Sequence, residues 1–256
     1  HDWFPLQGGH TGSGIRTREN FLFYWNYTPR KPFLETEAMY EAIICGPRVA
    51  DARDVRQAAW KSLLSGSYGY TYGGAAVWLM RWDHDDSTGT SYNPDHCWHE
   101  GMRLPGSTQM TILRDFFSEL EWWNLVPRFG DPAWGEFADL EATALATEDN
   151  RVHVLYAYGP QRRLGRLRGL APQQPYAAWW FDPRTGTRYP IANDIMSADG
   201  IWALPRKPSG DDWVLHLRQG RATAAEMAGD PIPVEVARPA GNVAFFAIAT
   251  ASATDT

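Results

Sequence analysis

Apolar and polar positions change their rhythm near the middle of this chain. In the first half, short apolar runs alternate with stretches of helical spacing. Trp3 to His10 predicts a short strand ending in a polar, glycine-rich loop, and 19–27 a short aromatic helix. Residues 31–37 predict the next strand. Asp51 or Asp54 can cap a helix through Val55, Ala58, Ala59, Ser62 and Leu63, with Gly66 as its stop. Tyr68 to Leu79 reads as a glycine-punctuated, strand-like segment, and Asp83 to His99 as a polar loop. Pro105 to Trp123 predicts a helix with Met110, Leu113, Phe116, Phe117 and Leu120 on one stripe. The order strand, helix, strand, helix, strand, loop, helix implies parallel β/α units.

After Pro127 the spacing becomes that of strands. Alternating segments fall at 138–146, 151–158, 176–181, 200–204 and 212–217, separated by Pro, Gly, Asn and Asp clusters. They predict a small antiparallel β-sandwich. Asp182-Pro-Arg-Thr-Gly186 predicts a hairpin turn, because Pro fixes φ and Gly takes a positive one. Trp179 and Trp180 point to opposite faces, one expected in the core and the other exposed. From Gln219 the chain is Ala- and Pro-rich, with Val243 to Ile248 as a last strand before a disordered end. The expected domains are 1–127, 128–218 and an extension over 219–256.

Composition narrows the function. Against 30 acidic residues stand 24 basic ones, for a net charge of −6, so the footprint of a nucleic-acid partner is missing. No run approaches the ~20 apolar residues that span a bilayer, so no membrane partner is expected and the chain reads as soluble. Thirteen Trp, 11 Tyr and 11 Phe make it strongly aromatic. Trp3, Trp82, Trp98, Trp122, Trp123, Trp179 and Trp180 are read as standing beside polar residues, and a flat apolar face with a polar handle suits a sugar ring. The chain opens on His1 without a signal-peptide pattern, which reads as a processed product or a piece of something longer. Cys45 and Cys97 lack metal-ligand spacing; they can pair, and two cysteines do not decide a compartment. Asn26-Tyr27-Thr28 is a glycosylation sequon. Phosphate cradle, Ser-His-Asp elbow and dinucleotide fingerprint are all missing, so no cofactor is expected. Asp83-His84-Asp85-Asp86, with Asp95, His96, Cys97 and His99, has neither EF-hand nor HExxH spacing. It reads as a solvated rim loop, without a metal.

The chemistry concentrates in Lys31-Pro-Phe-Leu-Glu-Thr-Glu-Ala-Met-Tyr-Glu41. In a strand, Glu35 and Glu37 share a face, and Glu41 follows in the next turn. A carboxylate at the tip of a buried strand is desolvated, which is expensive unless it has a task. Barrel enzymes present catalytic groups where their strands open into loops at the C-terminal ends. Tyr40 can donate a hydrogen bond to Glu37, and such a bond favours a charged carboxylate.

That segment, with Gln7-Gly-Gly-His10 before it and Asp54-Val-Arg-Gln-Ala-Ala-Trp60 after it, resembles the apiosidase-like glycoside hydrolases. So do Leu64-Ser-Gly-Ser-Tyr-Gly-Tyr-Thr-Tyr72-Gly73 through Trp78, and Trp98-His-Glu-Gly-Met-Arg-Leu-Pro105-Gly106-Ser-Thr-Gln109-Met110. Ala178-Trp-Trp-Phe-Asp182 and Gly210-Asp-Asp-Trp213 are similar to the β-domain that ends these proteins, sometimes labelled collagen-binding. The resemblance implies the last part of a (β/α)8 barrel followed by that β-domain. It implies Glu37 as the nucleophile of a retaining hydrolase of plant-type polysaccharide side chains, secreted or periplasmic. The general acid would come from a barrel half upstream of His1, on the same or another polypeptide, since about 125 residues cannot hold eight β/α units. Glu35 and Glu41 are the acids in this chain that could replace it. Gln7, His10, Tyr40, Glu41, Tyr70, Tyr72 and Trp78 are the expected sugar-binding groups, Tyr72 and Trp78 on the last barrel strand. Tyr70 stands where relatives carry His, and Arg56 is expected to be a structural ion-pair partner. The rival readings are a non-catalytic carbohydrate- or matrix-binding protein and a structural surface component.

Overall fold

The computed structural model describes residues 6–8 and 18–228, apart from Gly89, Ser91, Pro94, Phe129 and 138–141. The expectations for His10, for the strand at 243–248 and for the chain beyond 228 lie outside the described residues. The described chain forms two compact units. Residues up to 63 with 67–111 make the first, and 64–66 with residues from 112 onward make the second.

In the first unit, β1 (Leu6–Gly8), α1 (Arg18–Trp25) and β2 (Phe33–Glu35) form a parallel β-α-β unit, with Leu6 opposite Phe33 and Gly8 opposite Glu35. The second strand is shorter than the sequence predicts. Its last ladder bonds run from Glu35 N–H to the Gly69 carbonyl (3.2 Å) and from Thr71 N–H to the Glu35 carbonyl (3.0 Å). Beyond them the chain leaves the sheet and rejoins parallel pairing at β3 (Tyr40–Glu41). A hairpin of β4 (Ile44–Cys45) and β5 (Arg48–Val49) leads to α2 (Ala52–Leu64). Asp51 caps this helix, accepting the Arg53 and Asp54 amides on Oδ1, while Asp54 Oδ2 accepts the Asp51 amide in return.

Residues 68–79 are not one strand. Tyr70 makes a single parallel bridge to Glu35, β6 (Gly73–Gly74) pairs with β3, and the chain turns at once into α3 (Ala75–Leu79). Ala75 and Ala76, both fully buried, are strong helix formers and permit this tight turn. Trp78 therefore stands on a helix, not on the last strand. After α4 (Trp98–Gly101) comes α5 (Pro105–Ser118), with proline at the first helical position, where its missing N–H is harmless. The helix ends before the predicted Trp123, and Trp122–Asn124 form a separate 3₁₀ turn. Among the described residues no helix is long and apolar enough to cross a membrane. Cys45 and Cys97 are both free thiols.

The second unit is antiparallel. Its strands are β7 (Leu125–Pro127), β8 (Gly135–Phe137), β9 (Ala142–Thr147), β10 (Val152–Ala157), β11 (Gly165–Leu167), β12 (Tyr176–Phe181), β13 (Arg188–Ile195), β14 (Trp202–Ala203) and β15 (Trp213–Gln219). One sheet has the order β13-β12-β15-β10-β9-β7 and the other β14-β11-β8. Leu155, Tyr176, Trp180 and Leu215 of the larger sheet share a buried cluster with Leu167 and Trp202 of the smaller. Burying each such large apolar side chain stabilises the unit by about 1.5–3 kcal/mol. β12 is buried along its whole length between two partners, so its apolar run is continuous. Trp180 and Trp179 do face opposite sides, but neither is exposed. Trp179 packs with Ala177 and Ala222 and donates from Nε1 to the Glu226 carbonyl in α6 (Ala224–Met227). The Asp182–Gly186 turn joins β12 to β13, with Gly186 at φ +78°.

Candidate active site

Within the first unit, the ends of β2 and β3, the segment from Tyr70 to Gly74 and the start of α5 bring carboxylates and rings together. Glu35 and Glu37 do not share a strand face, because the strand ends at Glu35. Glu35 is 2 % exposed, whereas Glu37, in the loop just past the strand, is half-buried. Tyr40 Oη donates to Glu37 Oε1 at 2.7 Å. Burial first, then the Glu37 carboxylate, pushes the Tyr40 phenol up to about 12, so it stays a donor at ordinary pH. The Tyr40 ring lies over Gly73, where a Cβ would meet Tyr40 Cδ1 at 2.5 Å, so only glycine leaves room for it. The Tyr40 centroid is 5.7 Å from that of Trp78, which in turn meets Tyr92 edge-on at 5.9 Å. Trp78 is 55 % exposed. A half-buried acid oriented by a phenol, whose ring packs against an exposed indole, is an arrangement that can take a sugar.

Glu41 plays a different part. It is 2 % exposed. Tyr72 Oη donates to its Oε2 at 2.6 Å, and the Gly106 amide at the start of α5 donates to both oxygens at 3.1 and 3.0 Å. Desolvation raises the Glu41 carboxyl above its ordinary 4.5, against the lowering by Tyr72 and Gly106. A folded value above the unfolded one gives a stabilisation that is full below 4.5 and lost as pH rises through the folded value. Glu41→Gln should therefore flatten the pH dependence of urea unfolding across that window. Parallel curves for parent and variant would show that Glu41 does not titrate in this way.

Tyr70, expected to line the cleft, is 3 % exposed. It bridges to Glu35, and burial, then the Glu35 and Glu41 carboxylates, raise its phenol. Gln7 lies in β1 opposite Leu34, and His10 lies outside the described residues. Arg56 donates to Gln109 Oε1 at 2.8 Å in a buried bond between helices, a structural role. Sequence reasoning did not single out Tyr92 or the part played by Gly106. Glycine just after the first residue of a helix was the available signal, because it weakens the helix by about 1 kcal/mol unless something must approach closely.

Residues 2–124 match the family model described as "Apiosidase-like, catalytic domain". Residues 135–218 match the model described as "Putative collagen-binding domain of a collagenase". Among solved structures, the chain is similar to a protein titled "Glycoside hydrolase" (22 % identity, TM-score 0.65, covering 84 % of this chain and 50 % of that one). It is also similar to a glycoside hydrolase family 5 protein from Bacteroides vulgatus ATCC 8482 (21 % identity, TM-score 0.66, covering 85 % and 50 %). The chain thus spans about half the length of these structures, and at such identities the likeness is one of fold. No curated protein matches the chain.

Proposed function

Since residues 2–124 belong to the apiosidase-like catalytic-domain family, we propose that this chain is the C-terminal part of a glycoside hydrolase, comprising the end of a (β/α)8 barrel and a β-sandwich. Glu37 is its nucleophile. The observation that carries this reading is the position of Glu37: half-buried, just past a parallel strand, and bonded by Tyr40, whose ring packs 5.7 Å from that of exposed Trp78. In the reaction, the Glu37 carboxylate attacks the anomeric carbon and the glycosidic oxygen departs with a proton. The resulting glycosyl ester is then opened by water, with net retention. Trp78 offers its face to the C–H side of the ring, and Tyr40 keeps the carboxylate in line.

The proton for the leaving oxygen has to come from a second carboxyl about 5–5.5 Å from the first. Glu35 and Glu41 are both 2 % exposed, which argues against either. We assign the general acid to a barrel half outside residues 1–256. Plant-type polysaccharide side chains are the proposed substrate, and a secreted or periplasmic location goes with such polymers. Dinitrophenyl glycosides test the mechanism, because their leaving group departs without protonation and so needs no general acid. Proton NMR of the first-formed sugar should show retained anomeric configuration; inversion would overturn the assignment of Glu37.

A further inference from the structure

Away from the carboxylate pocket, the segment between α3 and α5 gathers a second set of groups. Arg81, 4 % exposed, donates from Nε to the carbonyls of Asp83 (3.2 Å) and Asp86 (2.8 Å) and from Nη2 to that of His84 (2.8 Å). One guanidinium thus fixes the backbone of 83–86. Asp83 Oδ1 accepts the amides of Asp85 and Asp86, and the Trp98 amide bonds to the Arg81 carbonyl at 2.9 Å, tying the turn to α4. His84 Nε2 is thereby set 3.1 Å from Glu100 Oε1. The other Glu100 oxygen accepts the Cys97 amide at 2.7 Å. With buried Cys97, the nitrogen, sulfur and oxygen donors of the three side chains all lie within 4.8 Å of one another.

We propose that His84, Cys97 and Glu100 bind one divalent transition ion of the zinc class. Imidazole, thiolate and carboxylate each bind Zn²⁺ at about 2.0–2.3 Å, and a thiolate discriminates against Mg²⁺ and Ca²⁺. Tetrahedral ligation needs donor atoms about 3.3–3.8 Å apart, so the triad closes by roughly 1 Å on binding. The His84 and Glu100 side chains are 61 % and 36 % exposed, and their rotation achieves this without moving backbone. Water fills the fourth position. Charge favours a cation here, since residues 81–100 hold five acids, Asp83, Asp85, Asp86, Asp95 and Glu100, against one guanidinium, that of Arg81. Ligation by sulfur needs the thiolate, so the Cys97 proton passes to solvent as the ion enters. An exposed His84–Glu100 pair alone would contribute little.

Cobalt(II) titration of the full chain tests this. One equivalent should bind with a thiolate-to-cobalt charge-transfer band in the near ultraviolet, and Zn²⁺ should remove that band. Cys97→Ser should abolish the band and Cys45→Ser should leave it. His84→Ala, at an exposed position, should weaken cobalt binding at least tenfold with an unchanged circular dichroism spectrum. Absence of the band, its survival in Cys97→Ser, or unchanged affinity in His84→Ala would each overturn the proposal. None of these readings depends on glycosidase activity, so the metal site stands or falls apart from Glu37.

Discussion

Glu37→Gln should lower turnover of aryl glycosides by on the order of 10⁴-fold or more, the scale seen when a catalytic nucleophile is removed. Glycan affinity should stay within a few-fold of the parent. The amide has the size of the carboxylate, and its oxygen can still accept the 2.7 Å bond from Tyr40. Trp78 and Tyr92 keep their places, so the sugar platform is intact. What the substitution removes is the negative charge that forms the ester. Turnover and equilibrium glycan binding, measured on the same preparations in the longest natural form of the protein, separate the enzyme from a binding protein. Turnover in Glu37→Gln equal to the parent's would end the nucleophile assignment.

The second large effect is structural. Gly106→Ala should destabilise the first unit by about 2–4 kcal/mol, by overpacking and by stranding buried polar groups. A Cβ at Gly106 would collide with Glu41 Oε2 and lie 2.7 Å from Val55 Cγ2. Glu41 would have to leave its place, and Tyr72 Oη would lose its acceptor. Truncating Glu41 removes the obstacle, so Gly106→Ala should be much milder in a Glu41→Ala background. The coupling between the two sites should exceed about 1 kcal/mol in a double-mutant cycle, as for residues in contact. Urea unfolding of the four proteins measures it. Additive losses would mean that Glu41 is not seated against the helix start.

The sequence was easiest to read where one physical cause dominates. β12 shows its limits, Tyr176 and Phe181, because burial on both faces leaves no room for polar residues. α2 is legible from its Asp51 cap and its apolar spacing. β13 went unseen because, among the described residues, it pairs only through β12, at the end of the sheet order, and can carry Pro190 and exposed Tyr189 without penalty. Trp78 was misplaced because Gly-Gly-Ala-Ala satisfies a short strand and a helix start equally well, and tertiary packing chose both in succession. In the site, the bond from Tyr40 to Glu37 could be read from their spacing. Neither the burial of Tyr70 nor the Glu41–Gly106 contact could, since both depend on pairing between distant segments.

One feature of the second unit bears on how such proteins can be assembled from parts. Phe116, near the end of α5, packs against Phe181 with centroids 4.7 Å apart and meets His216 at 5.8 Å, while Arg188 pairs with Glu119 just after the helix. Residues 112–118 are thus as much a layer of the sheet's packing as any strand. A gene fusion joined at residue 128 would inherit strands with their greasy side uncovered. The transferable module begins inside the helix, and recombination that respects only the strands would yield sticky, short-lived products.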